Sequence, residues 1–149
     1  MPWEDWFSIA NLIAVMGWAA LILLPRWRWV MVLTRFVILG VLGATYTLLA
    51  MLYFARPEAG GYNSLAEVKA LLGTDPTLLA GWVHYLAFDL FVGGWIAERA
   101  DKLGVSRLLQ VPILFLTFQF GPIGYLTWAV IEAALAVPLP ESPNLEVTA

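Results

Sequence analysis

The chain contains no cysteine and a single histidine among its 149 residues. The first absence excludes disulfides, thiolate metal centres and cysteine nucleophiles. The second leaves one copy unable to build a multi-histidine metal cage. Charge is scarce too: 13% of the residues are Asp, Glu, Lys or Arg, about half the usual share of a soluble domain. The net charge is −3 and no basic stripe is present, which excludes the usual signature of a nucleic-acid partner. No nucleotide-binding loop occurs, and no cofactor or metal is expected.

What fills the space is apolar. The chain is 61% hydrophobic, with eight Trp, eight Phe and five Tyr, and its mean hydropathy is +0.79. Four long apolar segments cover about residues 7–24, 30–54, 78–97 and 108–137. Each reaches the ~20 residues that an α-helix needs to cross ~30 Å of hydrocarbon. The first is not a signal peptide, because "MPWEDW" before it is acidic and its apolar core is too long. The expectation is an all-α integral membrane four-helix bundle forming one domain over residues 1–149, with an irregular, proline-containing tail at 138–149.

Arg26 and Arg28 fall in the first loop, and Arg99, Lys102 and Arg107 in the third. The second loop holds Arg56 and Lys69 against Glu58, Glu67 and Asp75. The positive-inside rule then puts loops one and three in the cytoplasm and both termini outside. "SLAE" at Ser64–Glu67 reads as a capping box opening a short amphipathic helix that ends at Gly73, between the second and third spans. "TDPT" at Thr74–Thr77 supplies an N-cap and a first-turn proline for the third.

Ionisable residues inside spans are costly, at least ~2.5 kcal/mol on insertion scales, and read as functional until paired otherwise. From the expected helix ends, Arg35, Asp89 and Gln119 fall at one depth, and an Arg35–Asp89 pair is the economical arrangement. In the competing reading, Arg35 snorkels or the pair only joins helices. A second layer, nearer the outer face, holds His84, Asn11, Tyr46 and Glu132, with Tyr125 sharing a face with Glu132. His84 and Asp89 are five residues apart, ~7.5 Å along the axis and about 140° around it. They suit an acid and a base acting on separated atoms; the bland alternative for His84 is an interhelical packing contact. "FGPIG" at Phe120–Gly124 puts a proline within the fourth span, which predicts a kink and a freed carbonyl near Phe118. Broken helices line cavities, and an elongated apolar cleft follows.

Two stretches carry a family resemblance: "HYLAFDLFVGGWIAERA" at His84–Ala100 and "PILFLTFQFGPIGYL" at Pro112–Leu126. They resemble the neoxanthin-synthase-like family, small membrane proteins named for abscisic-acid deficiency in plants. "YNSLAEVKALLG" at Tyr62–Gly73 supports the likeness. The resemblance implies a four-helix membrane protein of carotenoid or related isoprenoid metabolism. Plant members are needed to turn violaxanthin into neoxanthin, which opens an epoxide into an allenic alcohol. With no plastid transit peptide before the first span, the expected location is a bacterial inner membrane.

Such an isomerisation needs a base for a carbon-bound proton and an acid for the leaving oxygen, and no redox cofactor. The candidate catalytic residues are His84, Asp89 and Glu132. Asn11, Arg35, Tyr46, Tyr85, Gln119 and Tyr125 are candidates for holding a carotenoid-like substrate. Two other classes fit the same residues: a non-catalytic pigment- or lipid-binding accessory subunit, and a small transporter using Arg35, Asp89 and His84 as an ion path. The expected partners are a hydrophobic isoprenoid, membrane lipid, and either a homo-oligomer or a pigment–protein complex.

Overall fold

The computed structural model describes residues 2–55 and 60–136. Among these residues it is all-helical, with α1 at Trp3–Leu23, α2 at Arg28–Tyr53, α3 at Leu65–Leu71, α4 at Asp75–Lys102, α5 at Arg107–Phe120 and α6 at Pro122–Ala136. Among the described residues three helices are long and apolar enough to cross a membrane: α1, α2 and α4. The tail at 138–149 lies outside the described residues.

Helix α4 is the hub. Ala80, Val83, Leu86, Leu90, Gly93 and Ala97 line its buried side at three- and four-residue steps. They meet Ala14, Trp18 and Leu21 of α1 and Ile38, Leu42 and Leu49 of α2 in one core. Lipid tails are as apolar as leucine, so close packing, rather than water exclusion, holds such helices together. Gly17 shows the tolerance: a Cβ there would sit 2.7 Å from Leu90 Cδ2 and 3.1 Å from Ile38 Cγ2. Within α2 the turn Leu33–Ile38 is π-helical, and the Thr34 hydroxyl donates back to Val30 O at 3.0 Å.

The first and third loops share one end of the molecule. Arg26 Nη1 donates to Ala97 O and pairs with Asp101, both at 2.7 Å. Arg107 Nη2 donates to Leu24 O at 2.7 Å, and Gln110 Nε2 to Asp101 Oδ1 at 2.9 Å. These side chains satisfy carbonyls that helix ends leave open. Burial pushes the Arg26 guanidinium below its ordinary range, while the hydrogen bond and charge of Asp101 hold it up. At the opposite end the Trp3 ring meets Tyr53 edge-on at 5.7 Å. There half of the expected capping box is present: the Ser64 hydroxyl accepts from Glu67 N at 3.2 Å and opens α3, while the Glu67 carboxylate accepts from Asn63 N at 3.1 Å rather than from Ser64 N.

The fourth apolar segment departs from expectation. It is not one kinked span but two helices of 14 and 15 residues, about 21 and 22 Å long. Neither reaches across ~30 Å of hydrocarbon by itself. Helix α5 starts beside Leu24 through Arg107 and ends at Gly121 against Asp89. Helix α6 then returns, and Glu132 pairs with Arg99 near the end where α5 began. Gly121 makes the reversal at φ +45°, a conformation side chains rarely adopt, and Pro122 starts α6, where its missing N–H costs nothing. The two arms close tightly because Gly124 lies against the Thr117 backbone. The segment is a helical hairpin.

Ala136, the last described residue, lies toward the end that carries loops one and three, while Trp3 lies at the other; the C-terminus, expected on the outer side with the N-terminus, lies outside the described residues. Helix α4 also extends from Asp75 to Lys102 rather than 78–97, so Asp89 sits at its middle, 14 residues from the first and 13 from the last.

Candidate functional site

Leu78, Trp82, Tyr85 and Asp89 recur at steps of four, three and four, which places them in one stripe along α4. The hairpin reaches only as far as Asp89, so the stripe above it stays uncovered between α1 and α4. Leu78 and Trp82 are 58% and 40% exposed, as is Phe7 opposite at 40%, whereas Asp89 is only 9% exposed. The stripe therefore runs from an exposed apolar wall at Leu78 and Trp82 down to a buried carboxylate at Asp89.

Local chemistry fixes the walls. Asn11 Nδ2 donates to Phe7 O at 2.8 Å, which turns its amide oxygen toward α4. That oxygen accepts from Trp82 Nε1 at 3.1 Å. The Trp82 ring then lies 5.6 Å from Phe7 and 5.3 Å from Tyr85. One turn further, the Tyr85 hydroxyl donates to Gln119 O at 3.3 Å and also faces the Asp89 carboxylate. Above Trp82 lies a cavity of about 450 Å³ between α1, the end of α3 and the start of α4. Trp3, Glu4, Phe7, Asp75, Leu78 and Trp82 line it.

Asp89 lies at the meeting point of the two short helices. A Cβ on Gly121 would be 2.5 Å from Asp89 Oδ1, so the carboxylate rests on the reversal itself. Oδ2 is buried and has no hydrogen-bond partner among the described residues. The start of α6 presents unpaired N–H groups and the positive end of its dipole there, which favours an anion. Helices broken inside a membrane place such ends at binding sites, because irregular backbone is tolerated only where protein or a cavity covers it.

The sequence-predicted residues separate into three groups. Asn11, Tyr85, Asp89 and the backbone of Gln119 come together in the groove. His84 does not: it is exposed on the other flank of α4, stacked on Phe88 at 4.5 Å and edge-on to Tyr46 at 5.2 Å. Glu132 is not beside His84 either, since the hairpin carries it back to Arg99. Tyr125 packs on Trp95 with ring centres 6.1 Å apart. The Arg35–Asp89 pair is absent as well. Arg35 Nη1 bonds Glu98 Oε2 at 2.7 Å, and Glu98 also accepts from Lys102 at 3.0 Å. The cause is the longer α4, which lowers Asp89 away from Arg35 and brings Glu98 level with it. Sequence reasoning missed Trp82, Gly121 and Glu98; the four-three-four spacing from Leu78 was the available signal for Trp82.

Among the described residues no three of His, Asp and Glu converge as metal ligands. The model of one family, described as ABA DEFICIENT 4-like, matches residues 5–128. The chain belongs to this family. Its matched region reaches into every described helix and includes Phe7, the stripe from Leu78 to Asp89 and the hairpin tip, while Trp3, Glu4 and Glu132 lie outside it. A stretch of 71 residues is 35% identical to the large ribosomal subunit protein bL21 of Tropheryma whipplei (strain Twist). It covers 46% of this chain and 65% of that protein, less than two thirds of its length. No solved structure matches the chain.

Proposed function

We propose that this ABA DEFICIENT 4-like protein is a cofactor-independent isomerase of a carotenoid or related isoprenoid, working within the membrane. The observation that carries the reading is Asp89: a buried carboxylate at mid-helix, facing the Tyr85 hydroxyl, whose Oδ2 has no hydrogen-bond partner among the described residues. Family membership supports the substrate class. An elongated hydrocarbon enters from lipid along Phe7, Trp82 and Tyr85, and its reacting end comes to rest over the hairpin tip.

The chemistry divides between two side chains one turn apart. Asp89 removes a proton from carbon, the released electron pair forms the new double bond, and the epoxide carbon–oxygen bond breaks. The Tyr85 hydroxyl delivers a proton to the leaving oxygen, and Asp89 then returns its proton to Tyr85. No atom is gained or lost. Water exclusion by the bundle strengthens both transfers, and positioned acid–base groups are worth roughly 10²–10⁴-fold in rate. His84 and Glu132 stand outside this pair, and Arg35 holds α2 to α4 through Glu98. The cytoplasmic side is assigned to the Arg- and Lys-bearing loops one and three, and α6 therefore ends there.

The reading is tested by expressing the chain in a host that accumulates epoxy-carotenoids and comparing pigments by chromatography. The wild type and His84→Gln yield a new isomer of unchanged mass, and Asp89→Asn does not. An unchanged pigment profile with well-expressed wild type removes the isomerase reading and leaves a carrier or accessory role.

A further inference from the structure

We infer that the face shared by α2 and α4 around His84 docks a second copy of this chain, as a two-fold dimer within the membrane, whether or not the protein is an isomerase. His84 is exposed, and among the described residues no hydrogen bond reaches its ring. Its neighbours are aromatic: Phe88 stacks on it at 4.5 Å and Tyr46 meets it edge-on at 5.2 Å. It stands five residues from Asp89 at the middle of α4, about 7.5 Å along the axis. Hydrocarbon extends about 15 Å either way from a span's centre. Ionisable side chains at such depth almost always face a bundle interior or a cavity, because lipid tails return no hydrogen bond. His84 faces outward instead, and its ring calls for a donor and an acceptor at the same depth.

The surface around it suits another helix. His84, Phe88, Phe91 and Trp95 follow at steps of four, three and four, an exposed aromatic ridge along α4. Tyr46 joins this ridge to the open side of α2. There Gly40, Gly43 and Thr47 follow at steps of three and four, and a Cβ on either glycine would meet nothing within 4 Å. Glycine weakens a helix, and inside one chain these two serve no close contact. Between chains they form a flat strip over which rings and backbone can come close. Helix α2 is also the least covered of the three spans, with 17% of its apolar stretch buried against 33% in α1 and 44% in α4.

Hydrogen-bond chemistry and symmetry select the occupant. In its neutral form an imidazole carries one donor and one acceptor. Copies of a membrane protein share one orientation, so a two-fold axis runs along the membrane normal. Residues beside that axis meet their own equivalents at equal depth. Two His84 rings there satisfy each other, one donating and the other accepting. A second copy is thus the one partner certain to bring a donor and an acceptor to this level. No free charge on the α2–α4 seam opposes it, since Arg35 is bonded to Glu98 and Glu98 to Lys102.

The test follows energy transfer between donor- and acceptor-labelled copies of the full chain, each labelled at Ser106→Cys, as phosphatidylcholine liposomes dilute them. The wild type associates reversibly. His84→Leu, which suits lipid and leaves the single chain intact, weakens association roughly three- to thirtyfold, the worth of one hydrogen bond between helices. His84→Gln keeps a donor and an acceptor and stays close to wild type. Gly43→Leu has room within one chain and abolishes association. In oxidised membranes Phe88→Cys cross-links to its equivalent, whereas Val15→Cys, exposed on α1, does not. A wild type that stays monomeric overturns the inference. So does association that either His84→Leu or Gly43→Leu leaves at wild-type strength, or cross-linking of Val15→Cys in place of Phe88→Cys.

Discussion

The Asp89 carboxylate lies directly on Gly121, within 3.0 Å of where a side chain would begin. This contact joins the centre of the longest described helix to the tip of a hairpin whose two ends lie at one end of the molecule. It also explains why a glycine occupies the reversal. The position needs a left-handed φ, and it has no room for a side chain beneath the carboxylate.

The hairpin makes a topological prediction that the native chain is well suited to test, since it has no cysteine of its own. Single cysteines at Ala133, Ser106 and Asn63 report which side a membrane-impermeant thiol reagent reaches. Ala133→Cys and Ser106→Cys label from the same side, and Asn63→Cys from the other. Labelling of Ala133→Cys together with Asn63→Cys would mean that the fourth segment crosses after all.

Hydropathy located every apolar segment but not its path. Residues 108–137 are equally apolar whether they cross or return, and Gly121–Pro122 marks a break without fixing its angle. The ends of α4 were hidden for a related reason: Asp75, Glu98, Arg99 and Lys102 cut a hydropathy window short, whereas the helix runs on through them. Five residues at one end displaced Asp89 by about 7.5 Å, enough to choose the wrong partner for Arg35. Depth arithmetic also says nothing about azimuth. His84 and Asp89 were placed near their correct separation, yet only packing decides that one faces outward and the other inward.

Arg35 and Glu98 are partners, and Arg35 and Asp89 are not. A double-mutant cycle on thermal stability in detergent separates the two cases. Arg35→Leu with Glu98→Leu gives a coupling of about 0.5–1 kcal/mol, modest because both side chains are partly exposed. The cycle of Arg35→Leu with Asp89→Leu gives no coupling. A reversed ranking would contradict the register of α2 against α4.

Adjacent glycines on α4 should respond oppositely to alanine. Gly93 lies against the Trp18 ring, where an added methyl must displace a bulky side chain, while Gly94 has open space around its Cα. Gly93→Ala costs about 1–3 kcal/mol. Gly94→Ala is neutral or stabilising by up to about 1 kcal/mol through helix propensity. Calorimetry or thermal unfolding of the two variants side by side checks the pair, and a larger loss for Gly94→Ala would show that α1 packs on a different face.

The central claim is that Asp89 moves the proton and His84 does not. The direct measurement is turnover by purified protein in nanodiscs supplied with a 5,6-epoxy carotenoid, with the isomer quantified by chromatography. The account predicts that Asp89→Asn, an isosteric change that removes the base, lowers turnover by about 10²-fold or more. Tyr85→Phe loses a comparable share, and His84→Gln stays within about twofold of wild type. Full activity in a folded Asp89→Asn protein, or its loss in His84→Gln alone, would contradict it.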